Sequence, residues 1–126
     1  MNIVIIEQNK IFRESLKTAL SQVNDFKVVF DADNSVFPET ISNVQVNLLL
    51  IDYDLGEVTC NETITKVCSV WPDARILYLT NYKEECDLNF INTDQAILKN
   101  SSKKEFEDKI RAQQSNKINN LKIVTI

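Results

Sequence analysis

The chain predicts an α/β fold, a five-stranded parallel sheet with helices on both faces. Three observations predict it. Short apolar, β-branched runs alternate with longer segments whose apolar residues recur at helical spacing. Runs such as "NIVII" are apolar throughout, as strands covered on both faces are. The segments between strands have room for crossover helices, which parallel neighbours require.

The elements follow in order. "NIVII" (2–6) is too short for a helix and reads as a buried strand. "NKIFRESLKTALSQV" (9–23) carries Ile11, Phe12, Leu16, Ala19, Leu20 and Val23 on a helical stripe. "FKVVF" (26–30) is the second strand. A weak helix follows at about 36–41, where Pro38 suits only the first turn. "VNLLLID" (46–52) is the third strand. Residues 61–71 place Ile64, Val67, Cys68 and Trp71 on one stripe, expected in the core, and Pro72 ends that helix. "RILYLT" (75–80) is the fourth strand, 83–91 a short helix, and "QAILK" (95–99) the fifth strand. The last helix, 101–118, opens on a capping box of Ser102 and Glu105 and contributes Phe106 and Ile110 to the core. The sequence has no internal repeat and no low-complexity linker. "NNLKIVTI" stands outside the alternation, so one domain is expected over 1–118, with 119–126 a tail or the start of a linker.

Composition narrows the function. The 126 residues suffice for one domain with a real core, and 44% hydrophobic with 25% charged residues is a soluble globular composition. The net charge of -4 argues against a nucleic-acid surface. Lys103, Lys104, Lys109, Arg111 and Lys117 gather late, but Glu105, Glu107 and Asp108 interrupt them, as on a solvated helix face. "MNIVIIEQNK" lacks the pattern of a signal peptide and no run approaches a membrane span, so a cytoplasmic protein without membrane contact is expected. Cys60, Cys68 and Cys86 lack metal-type spacing and read as reduced thiols. Cys60 is close in sequence to Asp52 and could be exposed, yet nothing basic flanks it to activate it. The chain has no histidine, which removes His as base, phosphocarrier or metal ligand.

In an open parallel sheet, ligands bind beyond the carboxyl ends of the strands. The first strand delivers Glu7 and Gln8 there, the third Asp52 with Asp54 two residues on, the fourth Thr80 and the fifth Lys99. Each has an ordinary explanation by itself: a turn or cap for Asp52, a helix cap for Glu7, strand propensity for Thr80, solvation for Lys99. The joint pattern is harder to obtain by chance. It suits phosphoryl transfer, with Asp52 as a carboxylate nucleophile, oxygen ligands for a hard divalent cation, and Lys99 and Thr80 for phosphoryl oxygens.

These residues resemble the receiver domain of bacterial two-component response regulators, from residue 1 to about 115. "IVIIEQNKIFRESLKTAL" is similar to that family's first strand, acidic pair and first helix; "LLLIDYDLG" to the phosphoacceptor strand; "ILYLTN" to the strand with the switch hydroxyl; "AILKNSSKKEF" to the lysine strand. The "LKN-SS" wording resembles the subgroup whose output is a helix-turn-helix DNA-binding domain. The resemblance implies a flavodoxin-like, doubly wound (βα)5 sheet in strand order 2-1-3-4-5. It implies Asp52 as phosphoacceptor, Mg²⁺ held by Glu7, Gln8, Asp52 and the Asp54 backbone, and Thr80 and Lys99 contacting the phosphoryl group. A histidine kinase would donate that group, and the domain would be a signalling switch, with transcription as one output, rather than an enzyme beyond self-phosphorylation and self-dephosphorylation. A homodimer would use the face of the fourth helix, fifth strand and fifth helix, or that of the first and fifth helices; this domain itself would not contact nucleic acid.

The sequence departs from the family's pattern at named positions. Gln8 stands where a second carboxylate is usual, which predicts weakened Mg²⁺ affinity. Ala96 replaces the aromatic that usually couples to the threonine, and Tyr82 is a candidate to serve instead. Gly56 stands in place of a loop proline, and Asn81 where a small residue commonly follows the threonine. Gln8 and Ala96 therefore keep a second reading open, an atypical receiver that signals by protein contacts without phosphorylation. "DYDLG" also loosely resembles the nucleophile motif of haloacid-dehalogenase-like phosphatases, a distant third reading: the acidic pair after the lysine, Glu107 and Asp108, falls inside the last helix.

Overall fold

A computed structural model describes residues 1–33, 43–81 and 95–124, with side chains for all of these except 57 and 114–124. The expected helices at 36–41 and 83–91, Tyr82 and Cys86 lie outside the described residues. Five parallel strands, β1 (Asn2–Ile6), β2 (Lys27–Ala32), β3 (Leu48–Asp52), β4 (Arg75–Thr80) and β5 (Ala96–Leu98), form one sheet in the order β2-β1-β3-β4-β5. The helices among the described residues are α1 (Lys10–Ser21), α2 (Glu57–Val70) and α3 (Lys103–Val124). This is the flavodoxin-like order expected.

The uninterrupted apolar strands have the consequence the sequence implied: alternate residues supply two separate cores. Ile3, Ile5, Leu48, Leu50, Leu77, Leu79 and Ile97 pack with Leu16 and Leu20 of α1 and with Phe106 and Ile110 of α3. Val4, Ile6, Leu49, Ile51, Tyr78 and Ala96 pack on the other face with Cys60, Val67 and Trp71 from α2 and its end. A fully buried aliphatic side chain contributes about 1.5–3 kcal/mol, so the central strands β1 and β3, buried almost throughout, form the rigid floor of the molecule.

Helix ends follow local chemistry. Asn9 caps α1, its side chain accepting from the Phe12 amide at 3.0 Å. The cap is thus Asn9, not Glu7. The capping box of α3 is reciprocal: Ser102 Oγ accepts from the Glu105 amide and Glu105 Oε1 from the Ser102 amide, each at 3.1 Å. That helix continues beyond residue 118 to Val124.

Two expectations about packing need correcting. Ile11 belongs to the apolar stripe of α1 by spacing but is 81% exposed. It points about 100° round the helix from Phe12, which packs on the core with Leu16 and Leu20, and so faces water. Cys68 is exposed, whereas Cys60 and Thr63 are fully buried; Ile64, half-buried, packs against the second core as expected. The buried face of α2 is therefore rotated toward Cys60, Thr63 and Val67. Gly56 adopts φ 93°, which a proline ring, locked near −65°, cannot reach, so this loop has a course of its own.

Candidate functional site

Register places the site. Ile6 pairs with Ile51, so the next residues, Glu7 and Asp52, lie side by side at the carboxyl edge of the sheet. Asp52 pairs with Leu79 and Thr80 with Leu98, which brings Thr80 and Lys99 to the same edge. The pleat divides them further. Glu7, Asp52 and Lys99 share the parity of Ile5, Leu50 and Ile97, and Thr80 that of Tyr78.

The cluster gathers around Lys99. Its Nζ lies 2.7 Å from Glu7 Oε1, 2.8 Å from Asp52 Oδ1 and 3.3 Å from Asp54 Oδ2. Glu7 and Asp52 are wholly buried, and the lysine side chain is only 11% exposed. Backbone amides complete the cradle. Asp54 N donates to Asp52 Oδ1 at 2.8 Å, Asn9 N to Glu7 Oε2 at 3.0 Å, and Gln8 N reaches Asp52 Oδ2 at 3.5 Å. The Asp52–Asp54 bond also begins the 3-10 turn Tyr53–Leu55 that presents Asp54. Lys99 N donates to Thr80 O at 2.8 Å and ties the two strand ends together.

Three carboxylates around one ammonium leave negative charge in a dry place. Burial raises the pKa of Glu7, the Asp52 carboxylate beside it raises it further, and the bonds from Lys99 and Asn9 pull only partly the other way. For Lys99, burial alone would lower the pKa, but hydrogen bonds to Asp52 and Glu7 outweigh it and hold the ammonium charged. Cys60 donates its thiol to Asp52 O at 3.3 Å, and burial first, then the nearby acids, push it up to about 11. The thiol is inert, as its neighbours in sequence suggested, but because it is buried rather than because it is exposed and unactivated.

Glu7, Asp52, Asp54 and Lys99 are thus brought together. Thr80 is buried at the same edge, on the opposite side of the pleat, and Gln8 is exposed at the rim. Ala96, in place of an aromatic, pairs with Tyr78, whose ring meets Tyr53 edge-on at 6.1 Å. Sequence reading did not assign four residues that frame the site. Asn9 caps and donates to Glu7, and Arg13 donates to Glu7 O at 2.6 Å while pairing with Asp31 at 3.3 Å. Asn81 donates to Asp54 Oδ2 at 2.6 Å, and Phe12 lies under the Lys99 ammonium at 5.7 Å. Asn9 carried a signal as a capping residue just before a helical stripe, Asn81 as the residue after the threonine and Phe12 as a member of that stripe, but none of their contacts was readable.

Whether these residues suit a divalent cation is a question of donor chemistry. Among the described residues, no group of three His, Cys, Asp or Glu side chains forms a ready cage. Magnesium is seldom held by such a cage; one or two carboxylates, waters and a substrate phosphate are its usual shell. Buried Glu7 and Asp52, all oxygen, meet that description, and Gln8 at the rim adds an amide at best.

Comparison with known proteins bears on the fold that carries this site. No family model matches the chain. Over 86 residues, 68% of this chain and 36% of the relative, it is 28% identical to a transcriptional regulatory protein, DegU, of Brevibacillus brevis, so it spans about a third of that relative's length. The isolated REC domain of RcsB from Salmonella enterica serovar Typhimurium superposes with a TM-score of 0.71 over 92% of this chain and 89% of that one, at 20% identity. The fold is that of a response-regulator receiver domain. A chain of the complex between the P1 domain of CheA3 and CheY6 from R. sphaeroides also superposes on this receiver fold, with a TM-score of 0.71 over 90% of this chain and 96% of that one, at 18% identity.

Proposed function

We propose that the chain is a phosphoacceptor receiver: it takes a phosphoryl group on Asp52, assisted by Mg²⁺, from a histidine kinase, and passes the change to a partner or output domain, for transcription in particular. The observation that carries this reading is the asymmetric hold on the Asp52 carboxylate. Among the described residues its Oδ1 accepts from Asp54 N and from Lys99 Nζ at 2.8 Å each, whereas the amide that faces Oδ2, Gln8 N, stands 3.5 Å away, too long for a strong bond, with the Glu7 carboxyl group alongside. Oδ2 is the freer oxygen and the one to attack phosphorus. Its bond to phosphorus forms as the bond to the leaving group breaks and that group departs with the electron pair. A bound Mg²⁺ would supply charge neutralisation at the phosphoryl oxygens, held by Glu7, Asp52 and the Asp54 carbonyl with the Gln8 amide at the rim. Lys99 pairs with a phosphoryl oxygen in place of its present carboxylate partners. Thr80, buried at the end of β4, would donate its hydroxyl to another by turning toward that edge, and this displacement is the switch.

Support comes from the receiver fold, from the convergence of Glu7, Asp52 and Lys99, and from the partial likeness to a transcriptional regulator. The domain on this reading is a signalling element and turns over no substrate beyond its own aspartyl phosphate. Intact-mass spectrometry after incubation with acetyl phosphate tests it. One added phosphoryl group that requires both Mg²⁺ and Asp52, and is lost in Asp52→Asn, is expected. A folded protein with no adduct would instead favour signalling by protein contacts alone, and sustained ester turnover would favour a phosphatase.

A further inference from the structure

We infer that Phe12 is a positioning residue for Lys99 and carries the lysine's movement to α3 through Phe106. The inference rests on the reading of Lys99 as the phosphoryl-contacting group. Three observations converge on the ring. The ammonium stands 5.7 Å from its centroid, within the range of a cation–π attraction. The other side of the contact is α3: the Phe12 and Phe106 rings lie 6.4 Å apart at 48°. Phe12 is half-buried against the core that α1 and α3 share, so the ring is held rather than swinging in solvent.

Beyond these rings α3 is also fastened to the turn that follows α1. Lys103 Nζ donates to Gln22 Oε1 at 2.7 Å, and Arg111 forms a two-pronged pair with Asp25 at 2.8 and 2.9 Å. These bonds restrain α3 near Lys103 and Arg111, so a change in the Phe12–Phe106 contact is read locally, in the stretch of α3 between them. The second face offers less among the described residues, because the strand position expected to hold an aromatic holds Ala96, whose methyl group packs beside Tyr78.

The coupling works through charge. Lys99 now divides its ammonium among Glu7, Asp52 and Asp54. A phosphoryl group on Asp52 adds negative charge at one point of that ring and draws the ammonium toward itself. Its distance to the Phe12 face changes, and the ring, packed on Phe106, follows.

The test compares wild type, Phe12→Leu and Phe12→Tyr, each with and without acetyl phosphate and Mg²⁺. The adduct is read by intact mass, and the amides of residues 106–110 are followed by NMR in the same samples. The extent of phosphorylation is measured in each protein, and the amide shifts are scaled to the phosphorylated fraction. The shift of the 106–110 amides on phosphorylation should fall by about two- to fivefold in Phe12→Leu and return in Phe12→Tyr, which keeps an aromatic face. Equal shifts in wild type and Phe12→Leu would overturn the inference. Absence of an adduct in wild type would overturn the phosphoacceptor reading instead. The inference is then read without phosphate from Lys99→Arg, which moves the charge while keeping it: displacement of the 106–110 amides in the Phe12 background but not in Phe12→Leu supports it, and equal displacement in both overturns it.

Discussion

Two charged clusters sit at opposite ends of the same sheet, built from the same ingredients. At the carboxyl end Lys99 is ringed by Glu7, Asp52 and Asp54. At the amino end Arg111 pairs with Asp25 at 2.8 Å and with Glu107 at 3.1 Å, while the amino-terminal ammonium donates to Asp25 O. The second cluster is open to water, and its charges relax: Arg111 holds the Asp25 carboxyl down at about 2. In the first, burial wins over the nearby lysine and Glu7 is pushed the other way. Water makes the difference. Exposed, a cation and its acids can all stay charged; buried, three acids exceed what one ammonium can neutralise. An unbalanced buried cluster is a place where a further cation, a proton or a phosphoryl group changes the energy, and a balanced exposed one is not.

The largest effect expected from this contrast is the loss of Lys99. Lys99→Met should cost about 3 kcal/mol in urea unfolding near neutral pH, because two fully buried carboxylates lose their cation. The loss should shrink at acid pH, where Glu7, its pKa raised by burial, can take up a proton instead of remaining an unpaired charge. An equal loss at both pH values would mean that Lys99 stabilises by packing and not by compensating charge.

A smaller effect separates the two acids by the sign of their pH dependence. Glu7 has its pKa raised above 4.5 in the folded state, so the folded chain binds more protons than the unfolded one above that value. Its contribution is fully present below 4.5 and is lost as pH rises through the folded pKa. Glu7→Gln cannot titrate, so its stability should lie above that of wild type on the alkaline side of this window, with the gap closing toward acid. Thermal unfolding across pH reads it, and parallel curves would break the argument.

Much of this was legible in the sequence. The strands NIVII and RILYLT fall where their β-branched and apolar runs place them, because a strand buried on both faces has no polar residue to blur its limits. The site residues were legible as strand ends, since the topology alone delivers them to one edge. The orientation of α2 was not. Its stripe read through Cys68, but Cys60 and Thr63 are the buried positions, and a small thiol or hydroxyl gives little hydrophobic signal. Nor were Asn81 and Phe12, because a contact across 27 or 87 positions leaves no local pattern. Gly56 was legible as a departure, but not as a backbone with φ 93°.

Gln8 sharpens the comparison at the rim between the dry cluster and water. Gln8→Asp adds a carboxylate at an exposed position and should tighten Mg²⁺ binding by on the order of 1 kcal/mol in a calorimetric titration, at a cost in repulsion with Glu7 and Asp52 that appears only without the metal. Equal affinity would place Gln8 outside the cation's shell and leave Glu7 and Asp52 to hold it.

The smallest effect belongs to the exposed cluster, and its sign is opposite to that of Glu7. The Asp25 pKa falls from 3.8 to about 2 on folding, so the folded chain binds fewer protons than the unfolded one between those values. The stability this provides is present above 3.8 and is lost as pH falls through about 2. Asp25→Asn should therefore lie slightly below wild type at neutral pH and merge with it in strong acid. Added salt should narrow the gap at neutral pH, because an exposed ion pair is screened where a buried one is not. Arg111→Met should lose slightly more, since the guanidinium also stacks 4.9 Å from the Phe26 ring. If either variant lost as much stability as Lys99→Met, burial would not be what distinguishes the two ends of the sheet, and the charge imbalance around Asp52 would no longer mark that end as the functional one.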